Sequence, residues 1–157
     1  MLSILREVQK SRPDARLLIV GADQAGRADL LRRQAAELGV ADALVLAGER
    51  RDADAILAAM DCFLMTSHSE ALPLVAIEAQ VQGVKCVFSD AVPEDVACQN
   101  CVRLSLASPD SAWAEAVLNA SACSGNPKTL DGYNVQAIIT KLLGVYSGSC
   151  GFSRRIP

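Results

Sequence analysis

The apolar positions of the chain change period repeatedly. Residues 2–10 carry them at helical spacing, and the turn "RPDA" leads into the aliphatic run "RLLIV" (16–20), short enough for a buried strand. A charged helix is predicted over about 25–38, ending at Gly39, before a second strand, "ALVLA" (43–47). Gly48 and the turn "ERRD" follow, then a short helix over "ADAILAAM" (53–60) and a third strand, "CFLMTS" (62–67). A helix from about 72 to 82 leads to the strand "KCVFS" (85–89). "SDAVPEDV" reads as a turn with one helical turn at most, and "CVRLSL" (101–106) as a fifth strand. Helices near 109–120 and 132–144 complete the pattern. Strands bounded by turns and alternating with helices predict βαβ units, hence an α/β, Rossmann-like parallel sheet with helices on both faces. Residues 1–147 read as one domain and 148–157, within "SGSCGFSRRIP" (147–157), as a tail. No internal repeat, low-complexity segment or linker suggests a second domain.

One segment departs from a plain core pattern. "TSHSEALPLVAIEAQVQG" (66–83) holds Glu70 and Glu78 around Pro73. Proline suits the first turn of a helix and glycine the position past its end, so Pro73 and Gly83 bracket a helix over about 72–82. At ~100° per residue from Leu74, Ile77 and Val81 fall near ~300° and ~340°, and Glu78 near ~40°, close to the centre of the apolar arc. Gln82, near ~80°, intrudes on that arc, whereas Ala76 and Gln80 take the opposite face. An inward carboxylate costs several kcal/mol unless paired. Glu78 is therefore expected either to bond backbone N–H groups or an arginine, or to look into a ligand cleft and grip hydroxyls. Glu70, just before the helix start, could equally be an acid favoured by the helix dipole.

Composition bounds the function. At 157 residues the chain fits one domain with a real core. Half of it is apolar but only 4% aromatic, which suits helices packed on short aliphatic strands. A net charge of −3 offers no electrostatic case for nucleic acid. No apolar run approaches the ~20 residues of a membrane span, and no signal-peptide core is present. A cytoplasmic location is expected.

Metal and redox chemistry find little support in the pattern. Of six cysteines, Cys62 and Cys86 sit in apolar runs and read as small buried hydrophobes. Cys98 and Cys101 form a C-x-x-C, but no second such pair accompanies it and His68 is the only histidine. Cys123 and Cys150 are isolated. No metal and no cofactor are expected. In "VGADQAGRAD", Gly21 and Gly26 have the outer spacing of a phosphate loop, yet Arg27 and Ala28 stand where Lys and Ser/Thr are needed. Asp23 occupies the middle glycine of a dinucleotide fingerprint. Both readings are weak.

The turn after "CFLMTS" is the better candidate. Ligands of parallel sheets gather at the carboxyl ends of strands, and backbone donors at a helix start suit a phosphate or diphosphate. Amides at residues 71–74 and a carboxylate at Glu78, roughly 7 Å farther along, would match the groups of a nucleotide sugar.

The stretch "AMDCFLMTSHSEALPLVAIEAQVQGVKCVFSD" (59–90) resembles the donor-binding region of retaining glycosyltransferases of family 4, which have the two-domain GT-B fold. Ser67, Glu70, Leu72, Pro73, Leu74, Glu78, Ala79, Gly83, Ser89 and Asp90 match the family's two-glutamate signature. "PDARLLIVG" and "LVLAGERRDADAILAAMD" match upstream in order and spacing, so the likeness covers about residues 3–120 and is nearest to bacterial capsular and exopolysaccharide members. The resemblance implies that Glu78 binds ribose hydroxyls of a nucleoside diphosphate. Glu70 would contact the donor sugar and help stabilise charge at the anomeric carbon. The backbone at Ala71, Leu72 and Leu74, beside Ser67, would lie against sugar and diphosphate, and the turn Gly48–Arg51 near the base. Ala71 stands where the family usually has glycine, which would disturb donor placement if close backbone approach is needed.

The resemblance also implies parts that this chain does not contain: an N-terminal acceptor-binding domain, and an opening strand followed by an Arg and a Lys that clamp the diphosphate. The chain is expected to be the donor half of a hexosyltransferase, a fragment or subunit inactive alone. A peripheral place at the inner membrane would come through the missing domain. The alternative is a non-catalytic nucleotide-sugar-binding or protein-interaction module of the same fold. In a strand order such as 3-2-1-4-5-6 the missing strand is central. A gap is then expected between "RLLIV" and "CFLMTS", to be closed, or filled by another chain such as a second copy.

Overall fold

The computed structural model describes residues 1–122 except Gln24, Ala25, Asp95 and Gln99. The helix expected over 132–144, the tail and the boundary at residue 147 lie outside the described residues. Within them the chain runs α1 (Leu2–Gln9), β1 (Leu17–Val20), α2 (Arg27–Glu37), a 3₁₀ turn (Ala41–Ala43), β2 (Leu44–Gly48), α3 (Ala53–Ala58), β3 (Cys62–Met65), α4 (Leu74–Val81), β4 (Lys85–Ser89), β5 (Val102–Leu104) and α5 (Asp110–Asn119). Every element expected within the described residues is present, and the differences lie at ends with local causes. α2 begins two residues late because Gly26 adopts a left-handed conformation with φ +70° and the Asp23 carboxylate accepts the Ala28 N–H at 3.0 Å. β3 stops at Met65, and the Ser67 carbonyl accepts the Ser89 hydroxyl at 2.6 Å. β5 is trimmed at its start by a turn from the Cys101 N–H to the Cys98 carbonyl, 3.1 Å.

All paired strands are parallel, but they form two sheets, β1-β2 and β3-β4-β5. The expected gap falls between β1 and β3, and it has not closed. Among the described residues each of these two strands pairs on one edge only. α1 holds the two sheets in one fold. Its Leu2 and Leu5 pack with Ala35, Val40 and Ala43 on the β1-β2 side, and Ile4 and Val8 pack with Val87 and Trp113 on the other. Spacings of three and four residues thus present two adjacent stripes of one helix to two clusters.

β4 is the most buried strand and sorts the layers by alternation. Val87 faces α1 and α5, whereas Cys86 and Phe88 face α3 and α4 with Leu57, Ala76, Ile77 and Ala79. Phe63 meets Phe88 edge-on at 6.3 Å. Helices therefore cover both faces of the three-stranded sheet, as the alternation predicts.

Candidate functional site

The segment after β3 forms an open turn at the carboxyl end of a parallel strand. Ser67, tied to Ser89, fixes where the chain leaves the sheet. Pro73 sits one step outside the helix, at its N-cap, with φ −77° and ψ 94° and no side-chain capping bond. The first intrahelical N–H is that of Ala76, bonded to the Pro73 carbonyl at 3.0 Å, so the amides of Leu74 and Val75 have no partner within the helix. The turn after β1 differs, since there the Asp23 carboxylate already takes an amide at the helix start. At the far end Gly83, with φ +75°, closes α4: its N–H bonds the Gln80 carbonyl and the Val84 N–H bonds the Ala79 carbonyl, both 3.0 Å.

The orientation of α4 corrects the sequence expectation. Ala76, Ile77, Ala79 and Gln80 are buried, whereas Leu74, Val75, Glu78 and Val81 are exposed. Glu78 does not point into the core, and Ala76 and Gln80, assigned to the opposite face, are the core face. The large aliphatic residues pulled the expected arc the wrong way. Small alanines pack closely on the sheet side, and Gln80 is buried there because its polar atoms are matched. Its Nε2 donates to the carbonyls of Ala76 at 2.7 Å and Val96 at 3.1 Å. Its Oε1 accepts from the Cys98 N–H at 2.6 Å and the Cys101 thiol at 3.2 Å. An amide with two donors and two acceptor positions filled loses little by burial.

The sequence-selected residues divide by this geometry. Ser67 and Glu70 are half-buried at the turn; Ala71, Leu72, Leu74 and Glu78 are exposed beside it. Neither the Glu70 nor the Glu78 carboxylate has a hydrogen bond or ion pair among the described residues, although the Glu78 backbone carbonyl accepts the Gln82 N–H at 3.1 Å. Leu74 is 59% and Val81 57% exposed, so Glu78 lies within an aliphatic surface stripe. Gly48 and Arg51 are exposed at the end of β2, where the Gly48 carbonyl accepts the Gly21 N–H at 2.9 Å. The adjacent arginines of that turn are not equivalent. Arg50 makes a two-pronged contact to Asp52, Nε–Oδ1 2.8 Å and Nη2–Oδ2 2.6 Å. The Arg50 hydrogen bond holds the Asp52 carboxyl below the ordinary range, and the same bond holds the guanidinium above its own. Arg51 has no such partner among the described residues. No bond joins the Gly48–Arg51 turn to the Ser67–Glu78 group among those residues. A surface hollow of about 360 Å³ lies elsewhere, lined by Arg32, Ala35, Ala41, Leu44 and Leu46.

Sequence reasoning passed over two features. Ser89 matched the family signature, but its bond to the Ser67 carbonyl, which aligns the ends of β3 and β4, had no local sequence signal beyond a polar residue closing an apolar strand. Gln80 and the two cysteines converge from positions about twenty residues apart, and no local pattern announces that contact. Among the described residues no group of three or more His, Cys, Asp or Glu side chains gathers as a metal site would require.

Comparison with known proteins places this geometry. EpsF of Bacillus subtilis (strain 168), which carries a glycosyltransferase name, is 38% identical over 118 residues, spanning 69% of this chain and 30% of EpsF. The crystal structure of Anabaena HepE in complex with UDP and glucose superposes with a TM-score of 0.72 at 19% identity, over 92% of this chain and 44% of HepE. WaaG, a glycosyltransferase involved in lipopolysaccharide biosynthesis, gives a TM-score of 0.65 at 19% identity, over 94% of this chain and 42% of WaaG. The chain thus spans less than half the length of each. The profile of the family described as Glycosyl transferases group 1 matches residues 1–122, and with the GT-B, Rossmann-like fold seen here the chain belongs to that family.

Proposed function

We propose that this chain is the donor-binding half of a retaining glycosyltransferase that moves a sugar from a nucleoside diphosphate sugar to a glycan or lipid-linked acceptor in surface polysaccharide biosynthesis. The observation that carries the reading is the turn after β3. Open amides at the start of α4 lie just past the carboxyl end of a parallel strand, with one unpartnered carboxylate on the turn and another on the exposed side of the helix. Amides and the helix dipole suit the diphosphate. Glu78 takes the ribose hydroxyls as acceptor, and Glu70 takes hydroxyls of the donor sugar and steadies positive charge developing at its anomeric carbon. The backbone at Ala71, Leu72 and Leu74 lies along sugar and diphosphate, with Ser67 fixing the turn. Gly48 and Arg51 border the base, Arg51 being the arginine that Asp52 does not occupy. HepE, with UDP and UDP-glucose in its crystal structures, supports the choice of ligand class. No metal takes part in this scheme.

The exposed position of Glu78 fits a wall whose opposite side comes from an acceptor-binding domain, joined to this one or supplied by a partner chain. The open edges of β1 and β3 would receive a strand from that same source. By this reading the 157-residue chain works in the cytoplasm, reaches the inner membrane only through that domain, and transfers no sugar alone. Transfer needs donor and acceptor held together in a water-poor cleft. The same open edges favour a second reading, a non-catalytic module that uses them for protein contact.

Calorimetry with UDP, GDP and their sugars separates the two. Weak binding heat that disappears in Glu78→Ala supports the donor site; heat unchanged in that variant removes Glu78 from it. Fusing or adding an acceptor domain should then confer transfer, and Glu70→Ala should lower its rate by roughly 10²–10³-fold. Transfer at an ordinary enzymatic rate by the chain alone, lost in Glu70→Ala, would overturn the half-enzyme reading.

A further inference from the structure

Behind α4, on its buried Gln80 side rather than its exposed Glu78 side, lies a pair of thiols that the donor site does not use. The turn from the Cys101 N–H to the Cys98 carbonyl brings their Sγ atoms to 3.2 Å. A disulfide needs ~2.05 Å between the sulfurs, so closure asks for a shift of only about 1 Å. Cys98 is buried with Val92 and Val96, and Cys101 packs against the same cluster while remaining half-buried. Both thiols are reduced in this structure.

We propose that Cys98 and Cys101 form an oxidant-responsive modification site, converted by hydrogen peroxide or an organic hydroperoxide into an intramolecular disulfide. Cys101, the more exposed, loses its proton, and its sulfur attacks a peroxide oxygen. The O–O bond breaks, leaving a sulfenic acid and one water (or alcohol) that carries the lost proton. The Cys98 sulfur then attacks the Cys101 sulfur, and the S–O bond breaks. Hydroxide departs and leaves as water with the Cys98 proton. Two thiols lose two electrons and the peroxide is reduced by two.

The surroundings suit this change. The disulfide removes the Cys101 S–H donor from Gln80 Oε1, a weak bond. It leaves the bond from the Cys98 N–H and both bonds donated by Gln80. The anchor of α4 therefore survives oxidation. The other described cysteines are worse targets. Burial pushes the Cys62 thiol up to about 11, and Cys86 is fully buried with its Sγ bonded to the Val84 carbonyl at 3.3 Å.

The test is peroxide titration of the whole native chain, followed by alkylation and mass mapping of the tryptic peptide spanning residues 86–103. Oxidation should remove the mass of two hydrogens and leave one alkylated cysteine, Cys86, where the reduced peptide has three. It should run at least ~10-fold faster than modification of Cys62. In Cys98→Ser a dimedone-trapped sulfenic acid should accumulate at Cys101. Three alkyl groups persisting under peroxide that oxidises glutathione overturns the proposal. So does a disulfide joining either residue to another cysteine. The readout on the unmutated chain decides the matter even where Cys98→Ser does not fold.

Discussion

The two faces of α4 obey opposite rules. On the inner face Gln80 is 2% exposed and every hydrogen-bonding position of its amide is filled. On the outer face Leu74, Glu78 and Val81 stand in solvent, and the Glu78 carboxylate has no partner among the described residues. A polar group that serves the fold is matched, because an unmatched one in low dielectric would cost stability. A polar group that can wait for a ligand is left accessible, at little cost. Within eight residues the same helix thus carries a structural amide and a candidate ligand carboxylate, and satisfaction tells them apart better than hydrophobicity does.

The largest effect that should separate the faces is at Gln80. Gln80→Leu removes partners from the Cys98 N–H and the Val96 carbonyl, and should cost about 3 kcal/mol of unfolding free energy. Urea melts measure it; a loss below about 1 kcal/mol would mean that the network is not holding α4.

Next comes the pH dependence of the sheet side. Burial raises the Cys62 thiol from its ordinary 9.0 to about 11, so between these values the folded chain keeps a proton that the unfolded chain has lost. The native state then binds more protons, and stability falls as pH rises through that window, by roughly 2–3 kcal/mol in total. Melts of the parent chain against Cys62→Ala should show this slope in the parent alone.

The smallest effect belongs to the outer face. Glu78→Ala should change stability by no more than about 0.5 kcal/mol while abolishing nucleotide heat. A melt shifted as far as that of Gln80→Leu would break the comparison, by making Glu78 structural. Elemental analysis of purified protein should find no stoichiometric zinc. Zinc whose removal unfolds the chain would show that Cys98 and Cys101 belong to a metal centre after all.

Much of the molecule was readable from sequence. Periodicity, glycines and prolines located every α-helix and strand among the described residues, missing only the 3₁₀ turn Ala41–Ala43, because strand and helix periods and turn chemistry are local properties. "KCVFS" coincides with β4 to the residue. Alternation of elements implied parallel pairing, and the two-glutamate motif picked out the turn after β3. The break between β1 and β3 was also legible, although only through the family's strand order. What tertiary structure alone decided was the rotation of α4 about its axis. Leu74, Ile77 and Val81 suggested one face, but that helix is apolar nearly all round, so local pattern left its rotation open. The choice depended on how closely Ala76 and Ala79 approach β4 and on partners that Gln80 finds at Val96, Cys98 and Cys101. The same contacts brought the two thiols of a C-x-x-C that looked incidental into a defined pair. Local sequence specifies what each segment can form; which side it buries depends on surfaces contributed by residues far along the chain.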